Sequence, residues 1–471
     1  MSEEKWALLS VSEKTGIIEL ARLLLKNNFK ILASDGTHSY LASNSITVTR
    51  IAEFTGAEEI FGGRVKTLHP LIHGAILFDR DNPSQVSEAN RLGIKPIEVV
   101  VVNLYGEEQF DIGGPALIRA AAKNHKSVAV LTDPTQYSKF ERALQDGTLD
   151  EFKIECARTA LELTARYDLS ILRSLATPLR YGENPHQDGF VSGARGLAAA
   201  TLLQGGQPSF NNYLDMDCAT LIAYDHKMNT TVIVKHGAPC GVASAIDPVD
   251  SFSKALKSDE SSAFGGVIAT NFPIEEELAE MIISGFYEVL IAPSYSSGAL
   301  ALLAQRKRMR VLRLDKRAPQ PFNFREINGG FLFQSSDYLD FSDSWKLVAG
   351  NLVSEEVKSD LEFAWRCAAR TRSNAIVIAR DMATVGIGMG EVSRVAAAKN
   401  AVARASDRAE GAVAASDGFF PFPDGLEILA HAGVRAIIAP SGSIRDEEII
   451  AAAGRLGITL YFAANRHFSH N

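Results

Sequence analysis

Glu98-Val99-Val100-Val101-Val102-Asn103-Leu104-Tyr105 decides the reading of the first part of the chain. The unbroken apolar run reads as a buried strand of the kind found in parallel sheets, and Asn103 and Tyr105 fall at its carboxyl end. Outward from it, short apolar runs alternate with amphipathic stretches: Trp6–Leu9, a helix over Gly16–Leu25, Phe29–Ala33, a helix from Thr37, then Pro115–Lys123 and Ser127–Leu131. This rhythm predicts a parallel-sheet α/β domain over residues 1–176. Ligands of such sheets collect beyond the carboxyl ends of the strands, so the residues just after each run carry the most weight.

Those residues are small and polar. Ser10-Val11-Ser12-Glu13-Lys14-Thr15-Gly16 follows the first strand and Ser34-Asp35-Gly36-Thr37 the second, each opening a helix. Hydroxyls, free N–H groups and a helix dipole suit an anion. A third loop, Phe61-Gly62-Gly63-Arg64-Val65-Lys66-Thr67-Leu68-His69-Pro70, adds two cations and a hydroxyl. Together the three supply the parts of one phosphate cradle; singly, each is ordinary helix capping. No GxxxxGK[ST] occurs, which argues against a P-loop nucleotidase. His69 and His73 stand four apart, but Pro70 intervenes and no HExxH glutamate is present, so a metal pair is not expected. Asp111-Ile112-Gly113-Gly114-Pro115 opens a helix that carries Arg119 and Lys123 on one face. By charge pattern alone that face is a solvated basic stripe.

At 471 residues the chain exceeds a single core and is expected to divide into about three domain-sized units. Its 48 Lys+Arg against 56 Asp+Glu give a net charge of −8, which disfavours a protein whose affinity rests on covering nucleic acid. Cys156, Cys218, Cys240 and Cys367 are too scattered for a CxxC motif or a disulfide framework and fit a reducing cytoplasm. The opening Met1-Ser2-Glu3-Glu4-Lys5 lacks the pattern of a signal peptide, and no stretch approaches about 18 uninterrupted apolar residues. Neither secretion nor a membrane is expected.

From about Ser174 the texture changes. Leu179-Arg180-Tyr181-Gly182-Glu183-Asn184-Pro185-His186-Gln187 is turn-rich after a long helical stretch, which puts the main boundary just before it and a second half over 177–471. Leu290-Ile291-Ala292-Pro293-Ser294 recurs almost letter for letter as Ile437-Ile438-Ala439-Pro440-Ser441, an offset of 147 residues (290 to 437). At a similar offset Val232-Ile233-Val234-Lys235 matches Ile376-Val377-Ile378-Ala379, and Ser262-Ala263-Phe264-Gly265 loosely matches Ser416-Asp417-Gly418-Phe419. The repeat predicts two similar α/β subdomains, about 177–350 and 351–471.

The strand Thr231–Val234 runs into Lys235-His236-Gly237-Ala238-Pro239-Cys240-Gly241. An ammonium beside an imidazole favours its neutral, basic form, and the lysine can stabilise developing negative charge. Adjacent Lys and His are also common by chance. Pro239-Cys240 suggests a zinc deaminase, yet Ala243 takes the place of the second cysteine and no HxE precedes it. Gly386-Ile387-Gly388-Met389-Gly390-Glu391 is not GxGxxG and follows a hairpin-like Arg380-Asp381-Met382 turn, so dinucleotide binding is unsupported.

Taken together, Ser10–Gly16, Gly62–Pro70, Asn103–Tyr105, Asp111–His125, Arg180–Gln187, Val234–Gly241, Phe264–Gly266, Asn374, Gly386–Arg394, Phe419–Phe422, Ser441–Ser443 and Arg466–His470 resemble, in order and along nearly the whole chain, one family. It is the bifunctional AICAR transformylase/IMP cyclohydrolase family, AICAR being 5-aminoimidazole-4-carboxamide ribonucleotide. The resemblance implies a methylglyoxal-synthase-like first domain with cyclohydrolase activity and a transformylase half of two cytidine-deaminase-like subdomains without zinc. It implies formyl transfer from 10-formyltetrahydrofolate to AICAR, then dehydrative closure of formyl-AICAR to inosine monophosphate (IMP), by a cytoplasmic homodimer with no catalytic metal.

In the first site the resemblance implies IMP or formyl-AICAR contacts at Ser12, Lys14, Ser34, Gly36, Thr37, Arg64, Lys66, Thr67, Asn103, Asp111 and Ile112. Lys123 takes the proton-transfer position, and Lys66, Tyr105 and Asp111 steer charge and water loss. In the second site it implies AICAR contacts at Arg180, Tyr181, His236, Gly265, Glu288, Asn374, Arg394 and Arg466, and folate contacts at Phe419, Asp424 and Ser443. There His236 takes the amine proton, Lys235 stabilises the oxyanion, Asn374 joins the catalytic set and His470 supports His236. The tail is expected to dock, with Phe468 anchoring it by burial. Departures from the family pattern are Asp35 for glycine, which puts a carboxylate near the phosphate, Gly106 for the proline after Tyr105, and Glu288 where some members have aspartate. Segments around 106–111, 188–210 and 247–262 are abbreviated. Two rivals, a silent sensor of purine intermediates and a zinc-dependent nucleotide deaminase, are disfavoured by the retention of Lys123 and His236 and by the missing zinc ligands.

Overall fold

The computed structural model describes residues 4–104, 110–339 and 342–470, and the chain forms two compact units, 1–175 and 176–471. In the first unit β1 (Lys5–Ser10), β2 (Phe29–Ala33), β3 (Thr49–Arg50), β4 (Ile97–Val102) and β5 (Ala129–Leu131) lie in the order β3-β2-β1-β4-β5, all parallel. The valines of β4 are 2% exposed or less because helices cover both faces of the sheet. The helix Ile17–Lys26 covers β1 and β2 with Ile17, Leu20, Ala21 and Leu24, the i, i+3, i+4, i+7 stripe of an amphipathic helix.

Parallel pairing puts every strand's carboxyl end at one edge. The helix Gly113–Lys123 starts at that edge and runs back to the other. At the amino edge Arg80 donates to the carbonyls of Ile97, where β4 begins, and of Ser127, at 2.7 and 2.6 Å, and Asn124 donates to Ile76 O at 2.7 Å.

The second unit is built on one twelve-stranded mixed sheet. From one edge the strands are Thr201–Gln204, Arg310–Arg313, Val289–Ala292, Val267–Thr270, Asn229–Lys235 and Ala238–Ala245. Then come Ala383–Gly388, Ile376–Arg380, Val413–Ser416, Ala436–Pro440, Thr459–Ala463 and Lys346–Ala349. From either edge inward the order is an antiparallel edge strand, three parallel strands and a hairpin; the two hairpins meet at Ala243 and Ala383. The halves are duplicates, and the strand Lys346–Ala349, before the boundary expected near 350, belongs to the second of them.

The duplication corrects two sequence matches. Lys235 pairs with Ala238 and Arg380 with Ala383, so the hairpins correspond at an offset of 145 (235 to 380, 238 to 383). Val232 therefore answers to Val377, one residue on from the matched Ile376. A run of similar apolar residues does not specify register; the turn does. Gly265, φ 76°, precedes the strand Val267–Thr270 and its N–H donates to Phe286 O at 2.7 Å. Its counterpart is Gly411, φ 71°, before Val413–Ser416, with N–H on Gly433 O at 2.8 Å. The stretch Ser416–Phe419 instead leaves the carboxyl end of that strand, so the loose match to it rested on small-residue composition alone.

Each hairpin carries a helix directly on its second strand. A Cβ on Gly241 would collide with the carbonyl oxygen of Ala255, and one on Gly386 with that of Ala401. Among the described residues no helix is long and apolar enough to cross a membrane.

Candidate active sites

At the carboxyl edge of the five-stranded sheet the loops after β1, β2 and β4 are tied together. The Asn103 side-chain oxygen accepts from the Ser12 N–H at 2.5 Å, the Ser12 hydroxyl at 2.7 Å and the Glu13 N–H at 3.1 Å. The buried Thr37 hydroxyl accepts from the Val11 N–H at 3.1 Å and the Lys14 ammonium at 3.0 Å, and the hydroxyls of Ser10 and Ser34 bond at 3.1 Å. Burial, and then the Lys66 ammonium, hold Lys14 below the ordinary lysine range, so it releases its proton more readily than a free lysine. Lys66 borders a small cavity with Ser34 and Asp35. The Asp35 carboxylate is engaged by Arg50 through two bonds, 2.9 and 3.2 Å, so the departure at Asp35 leaves no bare charge beside the cradle.

Thr67 is buried against Gly113, where a Cβ would approach its hydroxyl to 2.7 Å. Asp111 caps the helix Gly113–Lys123 by accepting from the Gly114 N–H at 2.9 Å, and its own N–H donates to the Tyr167 hydroxyl at 2.6 Å. Gly36, Arg64 and Ile112 are exposed. Lys123 is not with this cluster: it ends the helix that Asp111 begins, at the amino edge of the sheet, about 15 Å along the helix axis. Tyr105 lies outside the described residues.

In the second unit His236-Gly237 is the two-residue turn of the first hairpin, with φ 56° and 70°. Both N–H groups donate to the buried Asp215 carboxylate, His236 at 3.3 Å and Gly237 at 2.6 Å, and the Lys235 ammonium donates to Phe264 O at 2.8 Å. Lys235, His236 and Met389 line a cavity of about 400 Å³. The next residue, Gly390, lines a second cavity of about 330 Å³ with Asn374 and His470. Consecutive residues, Met389 and Gly390, thus line the two cavities, with Lys235 and His236 on the first and Asn374 and His470 on the second. Glu391 O accepts from both the N–H and the side-chain amide of Asn374, at 3.2 and 2.7 Å. Glu288 accepts from Asn212 at 3.0 Å, and Arg180 stacks on Tyr181 at 5.4 Å. The stretch that holds Arg180 is tied to the Asp215 helix by Asn211, which donates to Glu183 O at 3.2 Å.

Arg394 sits beneath the site, 5% exposed, paired with the buried Asp417 and donating to Ala375 O at 3.1 Å. Arg466 is exposed and stacks on Phe468 at 4.6 Å. Phe468 does not anchor the tail: it is 38% exposed between two guanidiniums, whereas His467 is 2% exposed. His467 bonds Asp337 at 2.8 Å, meets Trp365 edge-on at 5.1 Å and donates its N–H to Asp417 O at 3.0 Å. A ring with both a polar and an aromatic partner is the one that goes inside. Phe419 and Asp424 follow the strand Val413–Ser416, and Ser443 follows Ala436–Pro440; those strands are parallel neighbours, so all three residues lie at one sheet edge.

A family model described as AICARFT/IMPCHase bienzyme matches residues 121–404, and one described as MGS-like domain matches residues 16–130. The bifunctional purine biosynthesis protein PurH of Corynebacterium glutamicum is 42% identical over 512 residues, spanning 99% of this chain and 98% of its own. The PurH of Mycobacterium marinum is 44% identical, with 98% of each covered. This chain belongs to the AICARFT/IMPCHase bienzyme family. The bienzyme carries out the final two steps of IMP synthesis, formyl transfer to AICAR and then cyclisation. A solved structure titled crystal structure of ForH is 33% identical over 36% of the bienzyme and 95% of its own chain, with a TM-score of 0.34.

Several residues that hold the two candidate sites were not among the site residues read from the sequence: Asp215, Asp417, Arg50, Tyr167 and the pair His467–Asp337. Asp215 carried a usable signal. It lies on the buried face of its helix with Ala219 and Ala223, and a carboxylate in that register needs a partner.

Proposed function

We propose that the two reactions occupy separate sites, ring closure at the carboxyl edge of the five-stranded sheet and formyl transfer at the His236 hairpin. The observation that carries this is that Lys235 and His236 line one cavity and Asn374 and His470 another, the two being lined also by the consecutive residues Met389 and Gly390, all within the second unit.

In the first site the hydroxyls and N–H groups of Ser12, Ser34 and Thr37 with Arg64 and Lys66 suit the ribose phosphate of formyl-AICAR. Ring closure joins the carboxamide nitrogen to the formyl carbon of the same molecule, so holding the two together supplies much of the rate. The carboxamide nitrogen loses one proton and the formamide nitrogen another, and the former formyl oxygen leaves with both as water; Lys14, with its weakened hold on its proton, and Lys66 stand where those transfers occur. Asp111 positions the loop beside Ile112. The proton-transfer role of Lys123 and the part of Tyr105 rest on the family resemblance alone.

In the second site the AICAR amine attacks the formyl carbon of 10-formyltetrahydrofolate, and His236 takes the amine proton. Lys235 meets the charge on the tetrahedral oxygen, with Asn374 beside it. Collapse breaks the bond between the formyl carbon and folate nitrogen, which regains a proton and leaves as tetrahydrofolate. Arg180, Tyr181, Glu288 and Arg466 are assigned to AICAR, and Phe419, Asp424 and Ser443 to the folate. Arg394, buried on Asp417, acts by bracing the site. No step is assigned to a metal. The hairpin Phe322–Ser335 carries exposed Phe322, Phe324, Leu332 and Phe333, apolar surface that suits a second copy in a homodimer. Four unpaired thiols suit the cytoplasm.

Full-length Asn103→Ala, assayed with formyl-AICAR, is expected to lose cyclisation at least about tenfold while formyl transfer is kept. Lys123→Ala in the same assay locates the proton: loss of cyclisation assigns it to Lys123, and retention assigns it to Lys14 or Lys66. Unchanged cyclisation in Asn103→Ala would remove the carboxyl-edge cluster from the reaction.

A further inference from the structure

The duplicated sheet holds the same device twice. In the first half the turn His236-Gly237 gives both N–H groups to Asp215; in the second half the turn Asp381-Met382 gives both to Asp360, at 3.1 and 2.7 Å. The offset is again 145 (215 to 360, 236 to 381), and each aspartate stands five residues after the start of its helix, Phe210–Asp225 or Glu355–Ala369. Both carboxylates are buried.

The turns need that support. All four of their residues have positive φ, 56° and 70° in one and 53° and 58° in the other. Two-residue hairpin turns of this hand favour Asn-Gly or Asp-Gly, and a side chain such as His or Met in a left-handed conformation costs about 1 kcal/mol or more. A carboxylate that accepts two amides at once offsets the strain and specifies the turn. Without it the turn can relax to another type, and a changed turn re-aims the side chains it carries. In the second half the re-aimed residue is the exposed Asp381, which bears no chemistry. In the first half it is His236, facing the cavity it shares with Lys235.

We propose that Asp215 is a positioning residue for formyl transfer, holding His236 at the angle from which it accepts the amine proton, while Asp360 is its purely structural twin. This rests on the assignment of His236 as proton acceptor.

The repeat supplies its own control. Full-length Asp215→Asn, Asp360→Asn and His236→Ala are compared by thermal melting and by kcat and KM for AICAR in formyl transfer. Asp215→Asn and Asp360→Asn are expected to lower the melting temperature alike. Asp215→Asn alone lowers kcat, by about 10- to 100-fold, with KM for AICAR held within about twofold. Asp360→Asn keeps the parental kcat. If Asp215→Asn does not fold, Asp215→Ser is read in its place. An equal fall of kcat in the two aspartate variants, or a parental kcat in Asp215→Asn beside an inactive His236→Ala, overturns the positioning role. A parental kcat in His236→Ala overturns the proton-acceptor assignment itself.

Discussion

Burial treats the two interior histidines of the second unit differently. His467 has Asp337 for a partner, whereas His226 faces Phe363 at 5.0 Å and the Cys367 thiol at 3.9 Å. Burial, and then Arg366, push His226 down to about 3 from 6.5. Below pH 6.5 the unfolded chain therefore binds a proton that the native chain refuses, and stability falls as pH falls through that window, down to about pH 3. His226→Phe keeps a ring against Phe363 and removes the titration. Denaturant unfolding at pH 6.5 and 5.5 should show the parent losing about 1 kcal/mol more than the variant over that step. Equal losses would mean that His226 is hydrated or paired in the native state. The same scale separates what a residue's type discloses from what it does not. His467 reads as less apolar than Phe468, yet it is the buried one, because Asp337 and Trp365 lie far away in sequence and no local pattern reports them.

Among the elements, the paired hairpins and the C-terminal tail carry the most consequence. Helix Arg394–Ala405 lies against Gly386 so closely that Gly386→Ala should cost about 1–3 kcal/mol, read as a lower midpoint in urea. An unchanged midpoint would mean that the helix is free to shift. Deleting Arg466–Asn471 removes the His467–Asp337 bond, the Ser373 N–H to Ser469 O bond at 2.8 Å and the wall that His470 gives the Asn374 cavity. Formyl transfer should be severely depressed while cyclisation continues; transfer at the full-length rate would make the tail dispensable. Element types were largely legible in the sequence: β4 from its valines, the helix starts from the polar residues after each strand, the duplication from the motif shared by Leu290–Ser294 and Ile437–Ser441. Register and direction were less so. The matched strands slipped by one residue because turns and bulges, not apolar composition, set pairing. The family resemblance put Lys123 and Asp111 in one site, but a helix converts their twelve-residue spacing into opposite edges of the sheet.

At the scale of the whole chain, the proposed arrangement gives each of the two units one of two reactions that share one intermediate. The cluster around Asn103 and Thr37 is closed by bonds within the first unit, and the His236 turn is closed by Asp215 within the second. Damage to one site should therefore leave the other intact. His236→Ala in the full-length chain tests this most directly, with formyl-AICAR supplied in one assay and AICAR plus 10-formyltetrahydrofolate in the other. The two-site arrangement predicts IMP formation from formyl-AICAR at the parental rate and no measurable formyl transfer to AICAR. A folded His236→Ala protein that has lost both activities, or neither, would contradict it.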